Sequence, residues 1–132
     1  MLILAAPLNA HTRGMIDARR LRLLPPEAVL INVARGPLVV ERDLVQILES
    51  GRLWGAGVDV TEVEPLPPES PLWNARNTII TPHVGGQRAS RIDDMTNLFC
   101  ENLRRDLAGL PLINLVDKDL GFPARGAILF EA

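Results

Sequence analysis

Four residues of this 132-residue chain have the types and places to do chemistry together: Arg35, Asp59, Glu64 and His83. Arg35 follows at once on the apolar run Ala28–Val33, and Gly36-Pro37 turns the chain away behind it. A guanidinium there presents a planar fork suited to a carboxylate or phosphate. His83 stands between Pro82 and Gly85-Gly86; histidine is the usual general acid near neutral pH. Glu64, just before Pro65, could pair with it, and a carboxylate beside an imidazole favours the protonated ring. Asp59 ends an apolar strand and could accept a hydrogen bond from a ligand amide, while Gly85 and Gly86 could bring backbone N–H groups close to a ligand. Each has a bland reading beside the chemical one: a loop-capping arginine, a structural histidine, a solvated acid, a cap, a helix start. Their shared placement favours the chemical reading.

That placement comes from the elements. Residues 28–33 are rich in β-branched types and read as a strand buried on both faces. Leu2–Ala6 reads as a short buried strand, and a domain opening on a central strand looks cut. Asp17 can cap a short helix through Leu24, which Pro25-Pro26 ends. Glu41 starts a second helix with Leu44, Val45, Ile47 and Leu48 on its apolar side and Gly51 as its C′ residue. Gly55–Val60 and Thr78–Thr81 read as further strands, joined by a proline-stiffened loop with a turn at Pro71-Leu72-Trp73. A long helix over about 88–108 carries Ile92, Met95, Leu98, Phe99, Leu103 and Leu107 on one face. The tail, Leu112–Ala132, reads as irregular. Alternating strands and helices predict an α/β fold with a parallel sheet. The four ionisable residues then fall at or just past strand carboxyl ends, where open α/β sheets bind ligands.

Composition narrows the class. With 47% hydrophobic and 23% charged residues the chain suits one globular domain. A net charge of −2 gives no nucleic-acid or anionic-membrane footprint. Cys100 is the sole cysteine, so no internal disulfide forms; this fits a reducing cytoplasm, and no cysteine–histidine spacing suits a metal. No stretch approaches the ~20 apolar residues of a membrane span.

Three motifs in order, Asn32-Val33-Ala34-Arg35-Gly36-Pro37, Gly57-Val58-Asp59-Val60 with Glu64-Pro65-Leu66-Pro67, and Thr81-Pro82-His83-Val84-Gly85-Gly86, resemble the signatures of the NAD(P)-dependent D-isomer-specific 2-hydroxyacid dehydrogenases. Pro7-Leu8 with Thr12-Arg13-Gly14 is similar to that family's loop after an earlier strand. Val39-Val40-Glu41, the stretch Pro65–Trp73 and the ending Asn114–Asp117 with Leu120-Gly121-Phe122 look most like the glyoxylate/hydroxypyruvate reductase branch. The resemblance implies the nicotinamide half of a doubly wound Rossmann sheet over residues 1–109, with residues 110–132 returning to a substrate domain. It implies that Arg35 binds the carboxylate and carbonyl oxygen of a small 2-oxo acid such as glyoxylate or hydroxypyruvate. His83 would protonate that oxygen, Glu64 would orient His83, and Asp59 would hold the nicotinamide carboxamide. Ala6, Val33, Ala34, Arg35, Asp59, His83, Gly85 and Gly86 would line NAD or NADP, and the full-length family would be homodimeric.

Thr61 stands where the family often has an aromatic residue, and Val40 where it often has an acid. No Gly-x-Gly-x-x-Gly occurs in the chain, although that loop holds the pyrophosphate in this fold. The sequence thus reads as the C-terminal portion of such an enzyme. Two other readings stand beside it: an NAD-sensing corepressor-type binding protein, and a short non-catalytic subunit.

Overall fold

The computed structural model describes residues 1–123 and 126–128. It divides into two compact units, Met1–Gly85 and Gly86–Ala132. The first holds a four-stranded parallel sheet of β1 (Leu2–Leu4), β2 (Val29–Asn32), β3 (Gly55–Val58) and β4 (Thr78–Ile80), in that spatial order. Strands follow their sequence neighbours, with Leu30 opposite Leu2 and Ala56, and Gly57 opposite Ile31 and Ile79.

Right-handed crossovers that all step in one direction put their connections on one face of a sheet. The burial pattern shows it. Leu4, Leu30, Asn32, Ala56 and Val58 point to the covered face and are buried. Ile3 and Ile79, on the other face, are 57% and 71% exposed. The expectation that β2 is buried on both faces is corrected by this alternation: Leu30 and Asn32 are buried, Val29 and Ile31 only half so. β1 corrects the expectation of a buried strand over Leu2–Ala6: it ends at Leu4 and is half-exposed, because among the described residues it pairs only with β2 at the sheet edge.

The covering elements are short. In α1 (Ala18–Leu21), Asp17 Oδ1 accepts the Arg20 N–H at 2.8 Å, as expected of the cap. The helix is three residues shorter than expected, because Leu23 and Leu24 continue it with i→i+3 turns up to Pro25. In α2 (Glu41–Glu49), Leu44, Val45, Ile47 and Leu48 are buried. Gly51 closes it at φ 70°, with the Arg52 N–H on Ile47 O and its own N–H on Leu48 O. Leu21, Leu30, Leu38, Leu48 and Leu53 centre the core.

In the second unit, α3 (Arg91–Leu107) forms as expected but buries no residue. Phe99 is 66% exposed, and Leu98 is only half-buried, on a different flank from the other five apolar residues. From α3 the Asn102 amide bonds Ile113 at both backbone groups. The tail corrects the irregular reading: β5 (Val116–Asp117) and β6 (Phe122–Pro123) pair antiparallel. Asp117 Oδ1 accepts the Asp119 and Leu120 N–H groups and Gly121 turns at φ 77°, a turn signal overlooked in the sequence. Residues 124–125 and 129–132 of the expected tail lie outside the described residues.

Candidate active site at the strand ends

The site begins with an asparagine. Asn32 is the last residue of β2 and 1% exposed. Its Oδ1 accepts the Ala34 N–H at 3.1 Å and its Nδ2 donates to the Arg35 carbonyl at 3.1 Å. The amide therefore braces the bend that carries Arg35 out of the sheet. Arg35 is exposed, and its Nη1 donates to Ala34 O at 2.6 Å. Gly36 behind it is not simply a turn residue. A Cβ there would lie 1.8 Å from Thr61 O, so only glycine lets this segment pack on the backbone of the loop after β3. From the other side, Gly14 at φ 62° donates its N–H to Pro37 O at 2.8 Å.

The loop after β3 turns Glu64 back on itself. Glu64 Oε1 accepts the Thr61 N–H at 3.0 Å, and the Thr61 hydroxyl donates to Val63 O at 2.8 Å. Glu41, opening α2, accepts the Glu62 N–H at 3.0 Å and so ties helix to loop. Glu64 Oε2 then meets His83 Nδ1 at 2.8 Å. The hydrogen bond from His83 holds Glu64 below its ordinary carboxylate value against a smaller desolvation cost, helped by the Thr61 amide and the nearby Arg35 charge. An ionised carboxylate only accepts. Nδ1 therefore carries the proton, and Nε2 is left for a ligand.

His83 sits at φ 55°, a left-handed conformation uncommon for a side chain of this size. Asp59 holds it there. Its Oδ1 accepts the Thr81 hydroxyl at 2.5 Å and the Val84 N–H at 2.9 Å, and its Oδ2 accepts the Gly85 N–H at 2.7 Å. Burial opposes the Asp59 charge, but these three donors together keep its carboxyl below the ordinary value. A Cβ on Gly85 would lie 2.8 Å from Asp59 Oδ2 and 3.8 Å from Val33 Cβ. Val33, Asp59 and Gly85 thus form a cradle that a side chain would fill. A carboxylate offers about four acceptor positions, so Asp59 keeps one beyond its three internal donors.

The structure brings Arg35, Asp59, Glu64, His83 and Gly85 into one cluster. Val33 is 47% exposed beside it and Ala34 is 8% exposed. Ala6 is half-buried just past β1, and Gly86 opens the second unit with nothing within 4 Å of a Cβ built on it. Asn32 and Thr81 stood in the sequence only as the first residues of motifs and Thr61 only as a departure from the family, with no role assigned to any of them, and the contact at Gly36 was not foreseen. A polar residue inside an apolar strand was the available signal for Asn32. A cavity of about 570 Å³ opens beside the acid pair, lined among others by Glu64, Leu66, Trp73, Ile80, Pro82 and His83. Among the described residues no group of His, Cys, Asp and Glu is placed to hold a metal ion, and no helix is long and apolar enough to cross a membrane.

A parallel sheet with an Arg, Glu and His at its carboxyl edge is a Rossmann-like arrangement, and that edge is where open α/β sheets bind ligands. Comparison with known proteins is specific: residues 1–85 match the family described as D-isomer specific 2-hydroxyacid dehydrogenase, NAD binding domain, and the chain belongs to that family. It is 40% identical over 122 residues to glyoxylate/hydroxypyruvate reductase A of Klebsiella pneumoniae strain 342, covering 92% of this chain and 38% of that one. A D-isomer specific 2-hydroxyacid dehydrogenase of Xanthobacter autotrophicus Py2, solved with NADPH and MES, superposes with a TM-score of 0.83 at 44% identity, covering 91% of this chain and 49% of that one. An NADPH-dependent glyoxylate/hydroxypyruvate reductase of Sinorhizobium meliloti, solved with NADP and sulfate, also gives 0.83, at 37% identity over 92% of this chain and 39% of that one. The chain thus spans less than half the length of these relatives.

Proposed function

We propose that this chain carries the nicotinamide half of the active site of an NAD(P)-dependent reductase that turns a small 2-oxo acid, such as glyoxylate or hydroxypyruvate, into the D-2-hydroxy acid. The observation that carries the reading is the 2.8 Å bond from His83 Nδ1 to Glu64 Oε2, with Arg35 close enough to stabilise the same carboxylate. Arg35 clamps the substrate carboxylate through its fork. His83, held by Glu64, gives the proton on Nε2 to the carbonyl oxygen as charge develops there, and Arg35 stabilises that charge. The bound dihydronicotinamide supplies the hydride. The cradle of Val33, Asp59 and Gly85 fits the nicotinamide end, with the remaining acceptor position of Asp59 for a carboxamide N–H. Ala6, Ala34, His83 and Gly86 complete the lining of the cofactor.

The chain has no Gly-x-Gly-x-x-Gly for the pyrophosphate. In this reading residues 1–109 belong to the cofactor domain, residues 110–132 return toward a substrate domain, and the complete enzyme is a cytoplasmic homodimer. Joining this chain to the N-terminal part of the Klebsiella relative provides the test. The chimaera should oxidise NADPH or NADH with glyoxylate, and His83→Ala should lower kcat by about 10²–10⁴. Arg35→Lys should lower kcat/KM, because lysine offers a point charge and no fork. An active chimaera indifferent to both changes overturns the assignment.

A further inference from the structure

We infer that Glu41, the first residue of α2, is a positioning residue for the reaction: through both carboxylate oxygens it clips the loop after β3 at its two ends and so holds Glu64 against His83. The inference rests on the reductase reading for its catalytic meaning, and it adds a residue outside the Arg35, Glu64 and His83 set. Glu64 needs such support. Its side chain is 40% exposed, and an ion pair open to water gains little by itself. Glu62 and Val63 before it are exposed too, so the segment that carries Glu64 has no footing of its own in the core.

The footing comes from α2. Leu44 and Leu48 are buried and anchor that helix in the core, so its first residue is a fixed point. Glu41 Oε2 accepts the Glu62 N–H at 3.0 Å, and Oε1 takes the Ser70 hydroxyl at 3.4 Å. Glu62 opens the exposed stretch and Ser70 closes it. The Ser70 hydroxyl oxygen also accepts the Leu72 N–H at 3.3 Å and so caps the turn that seats Leu72 in the core. Glu64 stands between the two clips. Thr61 completes the hold on the near side: its N–H donates to Glu64 Oε1, and its carbonyl packs against Gly36. Pro65, Pro67 and Pro68 limit the remaining backbone freedom. With Thr61 and Glu62 fixed, the Glu64 side chain alone has to reach His83 Nδ1. Released at Glu62, the loop would turn about Thr61 and take Glu64 with it, while Arg35 would keep its brace from Asn32. What Glu41 supplies is acceptor geometry rather than charge. A glutamine there has the same reach, with a carbonyl oxygen for the Glu62 N–H and an N–H₂ that can donate to the Ser70 oxygen. An aspartate keeps the charge but is one methylene short.

Two conservative variants of the 132-residue chain, Glu41→Gln and Glu41→Asp, separate reach from charge. One readout is the tautomer of the neutral His83 ring, from the nitrogen NMR shifts of its two ring nitrogens. The other is the titration of the Glu64 carboxyl, followed by its carbon shift. In the unaltered chain and in Glu41→Gln, Nδ1–H should predominate and Glu64 should titrate below its ordinary value. In Glu41→Asp, Nδ1–H should fall to the minor form and Glu64 should move back up toward its ordinary value, with the Leu30 and Ala56 amide signals unmoved. A clip that served stability alone would leave the ring and carboxyl signals of the folded chain as they were. Either signal retained in Glu41→Asp, or either lost in Glu41→Gln, overturns the inference. So does loss of the Leu30 and Ala56 signals in Glu41→Asp, which would make Glu41 a support of the whole sheet. Neither readout needs a ligand or turnover, so an active chimaera indifferent to His83→Ala would overturn the reductase reading and leave the positioning result standing. In the chimaera Glu41→Asp should lower kcat by about tenfold or more with KM for glyoxylate little changed, and an unchanged kcat also overturns the inference.

Discussion

At the scale of single residues the site is held by Asp59 more than by Arg35, Glu64 or His83. Three donors from the segment after β4 converge on this one carboxylate, and they keep His83 in its left-handed conformation. Asp59→Asn places an amide N–H₂ against at least one of those donors. It should destabilise the chain by about 1–3 kcal/mol, the cost of a buried polar group left without a partner, as read from urea denaturation. The pH dependence has a definite sign. Asp59 and Glu64 both titrate below their ordinary values of 3.8 and 4.5. Between ordinary and lowered values the unfolded chain holds more protons than the folded one, so stability falls as pH falls. It should be complete above the ordinary values and decline below them, with Asp59 contributing more because the Glu64 side chain is 40% exposed and screened. Urea midpoints measured from pH 6 to pH 3 check this, and Asp59→Asn should flatten the decline. The types and order of Arg35, Glu64 and His83 were enough to single them out in the sequence. The carboxylate lock was not legible, because three bonds to one aspartate depend on strands β3 and β4 lying side by side. Gly36 does turn the chain as expected, opening the 3-10 turn Gly36–Leu38, but its close packing was not legible for the same reason: what excludes a side chain there is Thr61 O, 25 residues away in sequence and visible only in the fold.

At the scale of elements, periodicity gave the strands and helices where the pattern was long or the cap chemistry clear. α2 and its Gly51 terminus came out as read, and so did the Asp17 cap. Short apolar strands hid their environment. Composition marks Val29–Ile31 as apolar, but only the topology decides how many faces are covered. Asn32 connects this scale to the site, since its amide satisfies one group on each side of the bend after β2. Asn32→Leu keeps the bulk but strands the Ala34 N–H. The expected loss is about 1–3 kcal/mol, measured by thermal denaturation, with a further loss of ligand binding because Arg35 is no longer braced. The contrast is α3, where helical spacing identified an apolar face that the chain leaves exposed. Phe99→Ser should change stability by less than about 0.5 kcal/mol, as for a surface site, and a drop well beyond that would mean the face is covered in solution.

At the scale of the whole molecule, each unit leaves apolar surface in water: Ile3 and Ile79 on the open face of the sheet in the first, and Ile92, Met95 and Phe99 on α3 in the second. The purified chain should associate in a concentration-dependent way, as light scattering coupled to size exclusion would show. Alone it should bind NADH weakly and give no cofactor oxidation with glyoxylate, since positioning can account for ~7–11 kcal/mol of a barrier and no glycine loop positions the pyrophosphate. Micromolar NADH binding with turnover would require a phosphate site of another kind. The order of the sheet has a kinetic consequence. Each strand pairs with the one made just before it, β1 to β2 to β3 to β4, so the sheet can zip up in the order of synthesis without waiting for distant chain. The Leu30 core can close once β3 has arrived, but the lock on Asp59 has no donors until Thr81, Val84 and Gly85 emerge. On a ribosome, or in a refolding experiment probed by pulsed amide exchange, protection should reach Leu30 and Ala56 first and Val84 and Gly85 last. Within the first unit the edge at Asp59 is then the last part to mature, and a stop between β4 and Gly85 would leave the sheet but remove the lock.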